Sequence, residues 1–257
     1  MRSTIKLMKN WQFTGPDGKT AAVNLPHTWN NIDGQDGGND YWRGTCTYTT
    51  RFAAPAYDAE TQQVWLQFEG VNASARVTLN GQEIMRHDGG YSTFRAEVTG
   101  LLAEENELTV AVDNSKNDRV YPQKADFTFY GGLYRDVNLI IVPASHFELG
   151  YCGTSGIKVT PIVNLETKSA ALTVETWQNG EEVTVTVDGQ SKTVPSVDGY
   201  AKAEFTIENV HLWDGVDDPY LYTATATLPS GDRVSTRFGC RNYKIDPQKG
   251  FILNGRS

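Results

Sequence analysis

Val77-Thr78-Leu79-Asn80-Gly81-Gln82-Glu83-Ile84 decides the fold class. Both central residues of a type I′ turn need positive φ, which Asn followed by Gly tolerates, so an Asn-Gly pair between apolar runs reads as a tight β-hairpin. Outward from it, Val64-Trp65-Leu66-Gln67-Phe68, Ala75-Arg76-Val77-Thr78-Leu79 and Glu107-Leu108-Thr109-Val110-Ala111-Val112 are rich in β-branched or aromatic residues and fenced by Gly, Asn or Asp. Asn179-Gly180 and Asp188-Gly189 repeat the hairpin device around Val183-Thr184-Val185-Thr186-Val187. No long segment of helical period competes, so the reading is an all-β chain.

At 257 residues, with 39% hydrophobic and 21% charged residues, the chain has material for two packed cores. The apolar run Val137 to Val142 ends at Pro143, and a Gly/Ser/Thr-rich patch to Gly156 follows. The expected organisation is a jelly-roll β-sandwich over residues 1–145, then an immunoglobulin-like β-sandwich over 146–240 with about seven evenly spaced strands. A connecting segment, 241–257, completes the chain.

Net charge is −8 and no run of Lys or Arg forms a basic footprint, which argues against nucleic acid and anionic membrane as partners. Cys46, Cys152 and Cys240 lie far apart without C-x-x-C spacing, and are expected to be free, buried thiols in a reducing compartment. The start, Met1 to Trp11, is charged and lacks an apolar leader core, and no stretch reaches the length of a membrane helix. A soluble, cytoplasmic protein is expected, with secretion after leader removal left open. His27, His87, His146 and His211 have no partner at metal-ligand spacing, so neither metal nor cofactor is expected.

Two loops exceed what strand connection needs: the glycine- and acid-rich stretch from Trp29 to Arg43, and the polar-aromatic stretch from Asp113 to Gly132. The neighbouring acids Asp36 with Asp40 and Asp217 with Asp218 read as solvated surface rather than catalytic pairs. Trp29, Trp42, Tyr91, Tyr130 and Tyr134 suit either a sugar-stacking platform or sandwich cores and seams, and the core role is the expected one.

The stretch Asp126-Phe127-Thr128-Phe129-Tyr130-Gly131-Gly132-Leu133-Tyr134-Arg135-Asp136-Val137 resembles the signature closing the sugar-binding domain of glycoside hydrolase family 2. Further landmarks follow the family's order: Leu25-Pro26-His27-Thr28-Trp29, Tyr41-Trp42-Arg43-Gly44, Gly70-Val71, Leu79-Asn80-Gly81, His87 to Phe94, then Leu212-Trp213 and Pro219-Tyr220-Leu221-Tyr222. Phe238-Gly239-Cys240-Arg241 through Gly250-Phe251-Ile252-Leu253-Asn254-Gly255 resembles the family's linker into a catalytic (β/α)₈ barrel.

The resemblance implies the front end of a retaining β-glycosidase, ending before the barrel. The acid/base and nucleophile carboxylates, which such enzymes hold about 5 to 5.5 Å apart, would then lie elsewhere. The chain alone would be inactive, with the barrel as its partner in cis and a homo-oligomer compatible with the family. Asp126 matches the aspartate that the family extends to the terminal sugar, the alternative being a cap on its own loop. Asn39 and Asp40 sit where the family's early loop also reaches the sugar. Arg135 and Asp136 are expected in a buried ion pair or a turn-stabilising role, and Gly131 and Gly132 in a tight backbone approach. The Asp-Phe-Thr-Phe context of Asp126 leans toward a β-galactosidase, while β-glucuronidases and β-mannosidases share this front end. An autonomous lectin-like module and a structural sandwich pair are the competing readings.

Overall fold

The computed structural model describes residues 1–31, 41–122, 125 and 127–257. Those residues form twenty-one strands and one 3₁₀ turn, Thr99–Leu101, and none of their helices is long and apolar enough to cross a membrane. The chain packs as two units: Ser3–Ala144, and Ser145–Ser257 together with Met1–Arg2.

The first unit is a two-sheet sandwich. One sheet has the order β1 (Ser3–Lys6), β12 (Val137–Pro143), β5 (Gln62–Phe68), β9 (Phe94–Glu97). The other runs β3 (Thr20–Val23), β2 (Trp11–Thr14), β4 (Thr45–Ala53), β10 (Glu105–Asp113), β7 (Ser74–Leu79), β8 (Gln82–Asp88). A two-strand ribbon, β6 (Val71–Asn72) with β11 (Gly132–Leu133), lies beside them. Alternation along β10 sends Leu108, Val110 and Val112 inward to meet Tyr48, Val77 and Leu79 from its neighbours. The facing sheet contributes Val64, Leu66, Phe68, Leu139 and Ile141. Removing each such side chain from water stabilises the fold by about 1.5–3 kcal/mol before entropy is counted.

The hairpin that began the reading forms between β7 and β8, with Asn80 at φ 51° and Gly81 at φ 82°. Asn80 also pins the turn to the sandwich: its Nδ2 donates to Asn106 Oδ1 (2.9 Å), and its Oδ1 accepts from the Glu107 backbone N–H (2.9 Å).

The second unit is a three-plus-four sandwich. Its sheets are β13 (Ile157–Asn164), β14 (Ser169–Trp177), β17 (Tyr200–Glu208) and β16 (Gln190–Pro195), β15 (Glu182–Val187), β18 (Tyr222–Thr227), β19 (Arg233–Phe238). The fold is therefore all-β, a jelly-roll sandwich followed by an immunoglobulin-like one. Its core holds Leu172, Val174, Val183, Val185, Phe205 and Ala224, all buried. Asp188 (φ 48°) and Gly189 (φ 73°) make the expected turn between β15 and β16.

Asn179-Gly180 does not form a hairpin turn. The strands on either side of it, β14 and β15, belong to different sheets, and Asn179 Oδ1 instead accepts from the His146 backbone N–H at 2.6 Å. Asp232 is fully buried and takes Arg2 Nε at 3.0 Å, Arg2 Nη2 at 2.9 Å and the Phe147 N–H at 2.8 Å, so one carboxylate collects three donors. A final hairpin joins β20 (Tyr243–Asp246) and β21 (Gly250–Leu253).

All three cysteines are free, but only two are buried. Cys46 faces inward from β4 and burial pushes its thiol up to about 12; burial likewise raises Cys240, to about 11. Cys152 is exposed, because it occupies a turn with φ 48° rather than an inward strand position.

Candidate functional site

The long loops of the first sandwich leave it at roots built from buried amides. Asn30, with no exposed surface, donates from Nδ2 to the Trp42 carbonyl (2.9 Å) and accepts at Oδ1 from the Gly131 N–H (2.8 Å) and Asn114 Nδ2 (3.1 Å). Asn114 Oδ1 accepts from the Gly44 N–H at 2.9 Å. Thr28 Oγ1 donates to the Gly131 carbonyl at 2.8 Å, and Asn72 Nδ2 donates to the Tyr130 carbonyl at 2.9 Å. Five chain segments are thus tied to one another by polar side chains, chiefly amides. Each buried amide left unmatched would cost about 1–3 kcal/mol, which is why such a network holds one geometry.

The two glycines of the signature are required by space. A Cβ on Gly131 would lie 2.1 Å from the Trp29 ring, and one on Gly132, at φ +138°, would lie 2.4 Å from the His27 carbonyl oxygen. The segment following them anchors a third loop: the Tyr134 hydroxyl donates to the Gly90 carbonyl, and Arg135 Nη1 donates to the Tyr91 carbonyl at 3.1 Å. Arg135 and Asp136 do not pair with each other. Arg135 is exposed and turns to the Tyr91 and Glu69 carbonyls, while Asp136 accepts from Lys6 Nζ at 2.6 Å across β1. Consecutive residues here point apart, so each finds its own partner and the role is turn stabilisation.

Above the roots stands an aromatic rim. Trp42 (38% exposed), Tyr91 (54%), Phe127 (57%) and Tyr130 (41%) present rings to solvent. Trp29 is half-buried and packs on Phe13 and Trp42, and Tyr134 is half-buried against Tyr91. The expected core role therefore fits Trp29 and Tyr134 but not Trp42, Tyr91 and Tyr130, whose positions in loops carry them past the sandwich end. The Arg43 guanidinium lies over the Tyr41 ring at 4.6 Å and the Phe129 ring at 5.9 Å. Arg43, Asn72, Tyr91, Asn114, Tyr121 and Phe129 border a cleft of only about 20 Å³, far too small to enclose a sugar ring, so the described rim is an open edge.

Asp126, Asn39 and Asp40, the residues read as sugar contacts, lie outside the described residues, as does Asp36. Their described flanks, Tyr41 and Phe127, belong to the rim. The histidines take packing roles: His27 Nδ1 meets the Tyr48 hydroxyl at 2.8 Å, and His87 stacks on Phe94 at 4.1 Å. Burial holds both below the ordinary histidine range, with the Gly89 carbonyl and Asp88 partly opposing it at His87. Asp217 is exposed, and Asp218 meets His211 Nε2 at 2.6 Å. Among the described residues no group of three or more His, Cys, Asp and Glu side chains could hold a metal ion. Sequence reasoning missed Asn30, Asn72 and Asn114, because asparagine in a loop ordinarily signals a turn. The one available hint was the position of Asn30 directly after the Trp29 landmark.

A family model described as glycosyl hydrolase 2 galactose-binding domain-like matches residues 35–151, and one described as glycosyl hydrolases family 2 matches residues 153–241. The chain is 33% identical to a β-glucuronidase of Bacteroides fragilis over 99% of its own length and 40% of that protein's. It is 30% identical to a β-galactosidase of Thermoanaerobacterium thermosulfurigenes over all of its length and 39% of the relative's. The crystal structure of an FMN-binding β-glucuronidase from Facaelibacterium prausnitzii L2-6 superposes with a TM-score of 0.92 at 36% identity, covering the whole chain and 42% of that structure. The chain thus spans about two fifths of the proteins it matches. With both sandwiches matched in order, the chain belongs to glycoside hydrolase family 2 and comprises that family's galactose-binding-like and immunoglobulin-like domains.

Proposed function

We propose that these two sandwiches are the non-catalytic N-terminal part of a retaining β-glycosidase, and that the first lends the rim of the sugar site to a catalytic barrel in cis. The carrying observation is the whole-chain likeness, at a TM-score of 0.92, to an enzyme more than twice as long. The amide-rooted loops support a positioning role, since contacts that act in a transition state must be held to a fraction of an ångström. Asp126, with Asn39 and Asp40, supplies hydrogen bonds to the sugar hydroxyls in this reading. A terminal β-glucuronide is the favoured substrate, because the B. fragilis relative and the F. prausnitzii structure both carry that name. A terminal β-galactoside is the second reading, favoured by the T. thermosulfurigenes relative and the Asp-Phe-Thr-Phe context of Asp126.

The hairpin at residues 243–253 supports a covering partner in the second unit. Tyr243 (60% exposed), Ile245 (80%) and Phe251 (57%) share one face, by the pairing of Tyr243 with Leu253 and of Ile245 with Phe251. Apolar surface of this kind is normally covered.

The test compares aryl β-glucuronide with aryl β-galactoside turnover in the full-length parent and in this chain. The parent should hydrolyse one of them, and the 257-residue chain neither. Asp126→Ala in the parent should lower kcat/KM by a factor corresponding to about 1.5–3 kcal/mol, with the thermal midpoint of the chain unchanged. Turnover that follows the purified 257-residue chain would sink the non-catalytic reading. Unchanged kcat/KM with a lowered midpoint would make Asp126 a loop cap.

A further inference from the structure

We infer that the outer face of the six-stranded sheet, beside the loop roots, carries a second binding site for a polyol bearing one oxyanion. The register assembles it. One outward-facing row runs Thr45, Asp113, Ser74, Asp88 across β4, β10, β7 and β8, and the next row on the same face runs Thr47, Ala111, Arg76, Arg86. Small residues, Ala111, Ser74 and Thr45, floor a concavity of about 530 Å³ between these rows, ringed by Arg76, Arg86 and Arg119. That volume lies within the range of small-molecule sites, roughly 300–1,000 Å³.

Two of the three guanidiniums are spoken for. Arg86 donates from Nε and Nη2 to Glu83 at 2.6 and 3.1 Å. Arg119 Nε donates to Asp88 Oδ2 at 2.9 Å, and Ser74 Oγ donates to the other oxygen of that carboxylate at 2.6 Å. Arg76 is exposed, with neither an ion pair nor a hydrogen bond from its side chain among the described residues. It stands directly opposite Arg86, whose charge Glu83 already meets, and Glu83 also attracts Arg76 without a hydrogen bond to it, so the Arg76 fork keeps its donors for a ligand. The anchored Arg86 and Arg119 fix the walls, and Arg76 is the free fork, whose planar geometry suits a carboxylate or a phosphate.

The acceptor row decides the rest of the ligand. Asp113 Oδ1 takes the Ser115 N–H at 2.7 Å, and together with the exposed Thr45 hydroxyl its carboxylate offers acceptors one row from the guanidiniums. A bare anion would be repelled by that row, whereas hydroxyls next to the oxyanion would donate to it. Uronates and sugar phosphates share this chemistry. The inference stands independently of the catalytic reading, because its test reads binding, not turnover, and uses the 257-residue chain alone.

The experiment titrates the ¹⁵N-labelled chain with methyl β-D-glucuronide, glucose 6-phosphate, methyl β-D-glucoside and inorganic phosphate, each to about 10 mM, a range that detects weak sites. Amide shifts at Ala111, Arg76 and Ser74 are expected with the glucuronide or the sugar phosphate, and the tighter of the two identifies the oxyanion. Arg76→Gln should weaken binding by about tenfold or more, and Arg76→Lys by less, because the point charge survives while the fork does not. Arg51→Gln, on the same sheet but paired with Glu107, should leave it unchanged. The Arg76→Gln protein should keep its spectrum and melt close to wild type, since the side chain is exposed and its repulsion by Arg86 is offset by Glu83. The inference is overturned if the neutral glucoside or bare phosphate binds equally well, if Arg76→Gln binds like wild type, or if no ligand shifts those amides.

Discussion

The two sandwiches keep their buried polar groups in different places. In the first, the buried amides Asn30, Asn72, Asn106 and Asn114 sit at strand ends and loop roots, where they fix the loops and turns that leave the strands. In the second, turns such as Asp188-Gly189 are short and locally determined, and the buried carboxylate of Asp232 closes the fold onto Arg2. The difference separates two tasks. A sandwich that only has to stand can leave its loops short, whereas one that presents loops must invest desolvated hydrogen bonds in fixing them.

The largest expected effect tests the standing half. Asp232→Ala leaves the Arg2 guanidinium without its counter-charge, with only the Phe147 carbonyl to accept from it, and the Phe147 N–H without its acceptor, and should destabilise the second sandwich by about 3–5 kcal/mol in urea unfolding, as broken buried pairs do. A loss below about 1 kcal/mol would mean that the triad is incidental.

Next comes the presenting half. Asn30→Ala removes one donor and one doubly used acceptor, and should cost about 2–3 kcal/mol while hydrogen exchange quickens at residues 28–31 and 129–131. Exchange that quickens equally in the second sandwich would erase the contrast between local and global roles.

A smaller effect separates the halves by pH. Burial lowers the proton affinity of His27 and His87, so the unfolded chain binds those protons more readily. The stability that comes from keeping them neutral is present above their ordinary value of 6.5 and is lost as pH falls through the lowered folded values. Melting of the first sandwich should therefore drop from about pH 6.5 downward, and His87→Phe, which keeps the stack on Phe94, should flatten part of that slope. An unchanged slope in the variant would assign the loss to carboxylates instead.

The smallest expected change in stability is at the rim. Tyr91→Ala should alter unfolding by no more than about 0.5 kcal/mol, as exposed substitutions do, yet lower kcat/KM of the full-length parent. A clear stability loss would make the rim part of the packing after all.

Local chemistry made much of this legible in advance. Asn80-Gly81 and Asp188-Gly189 announce their turns because positive φ is a property of the residues themselves, and the order of family landmarks carried the pair of sandwiches. The glycines at 131 and 132 were legible as a close approach, although the Trp29 ring and the His27 carbonyl that they approach were not. Tertiary structure alone decided that Asn179-Gly180 crosses between sheets, that Arg135 and Asp136 part company, and that Cys152 faces solvent. It alone brought Asn30 to Asn114, 84 positions away, and set Arg76 opposite Arg86 across a bulged hairpin. A turn depends on torsions within two residues and can be read from them, whereas a buried amide or a free guanidinium is defined by what lies across the sheet, and register, not sequence neighbourhood, sets that.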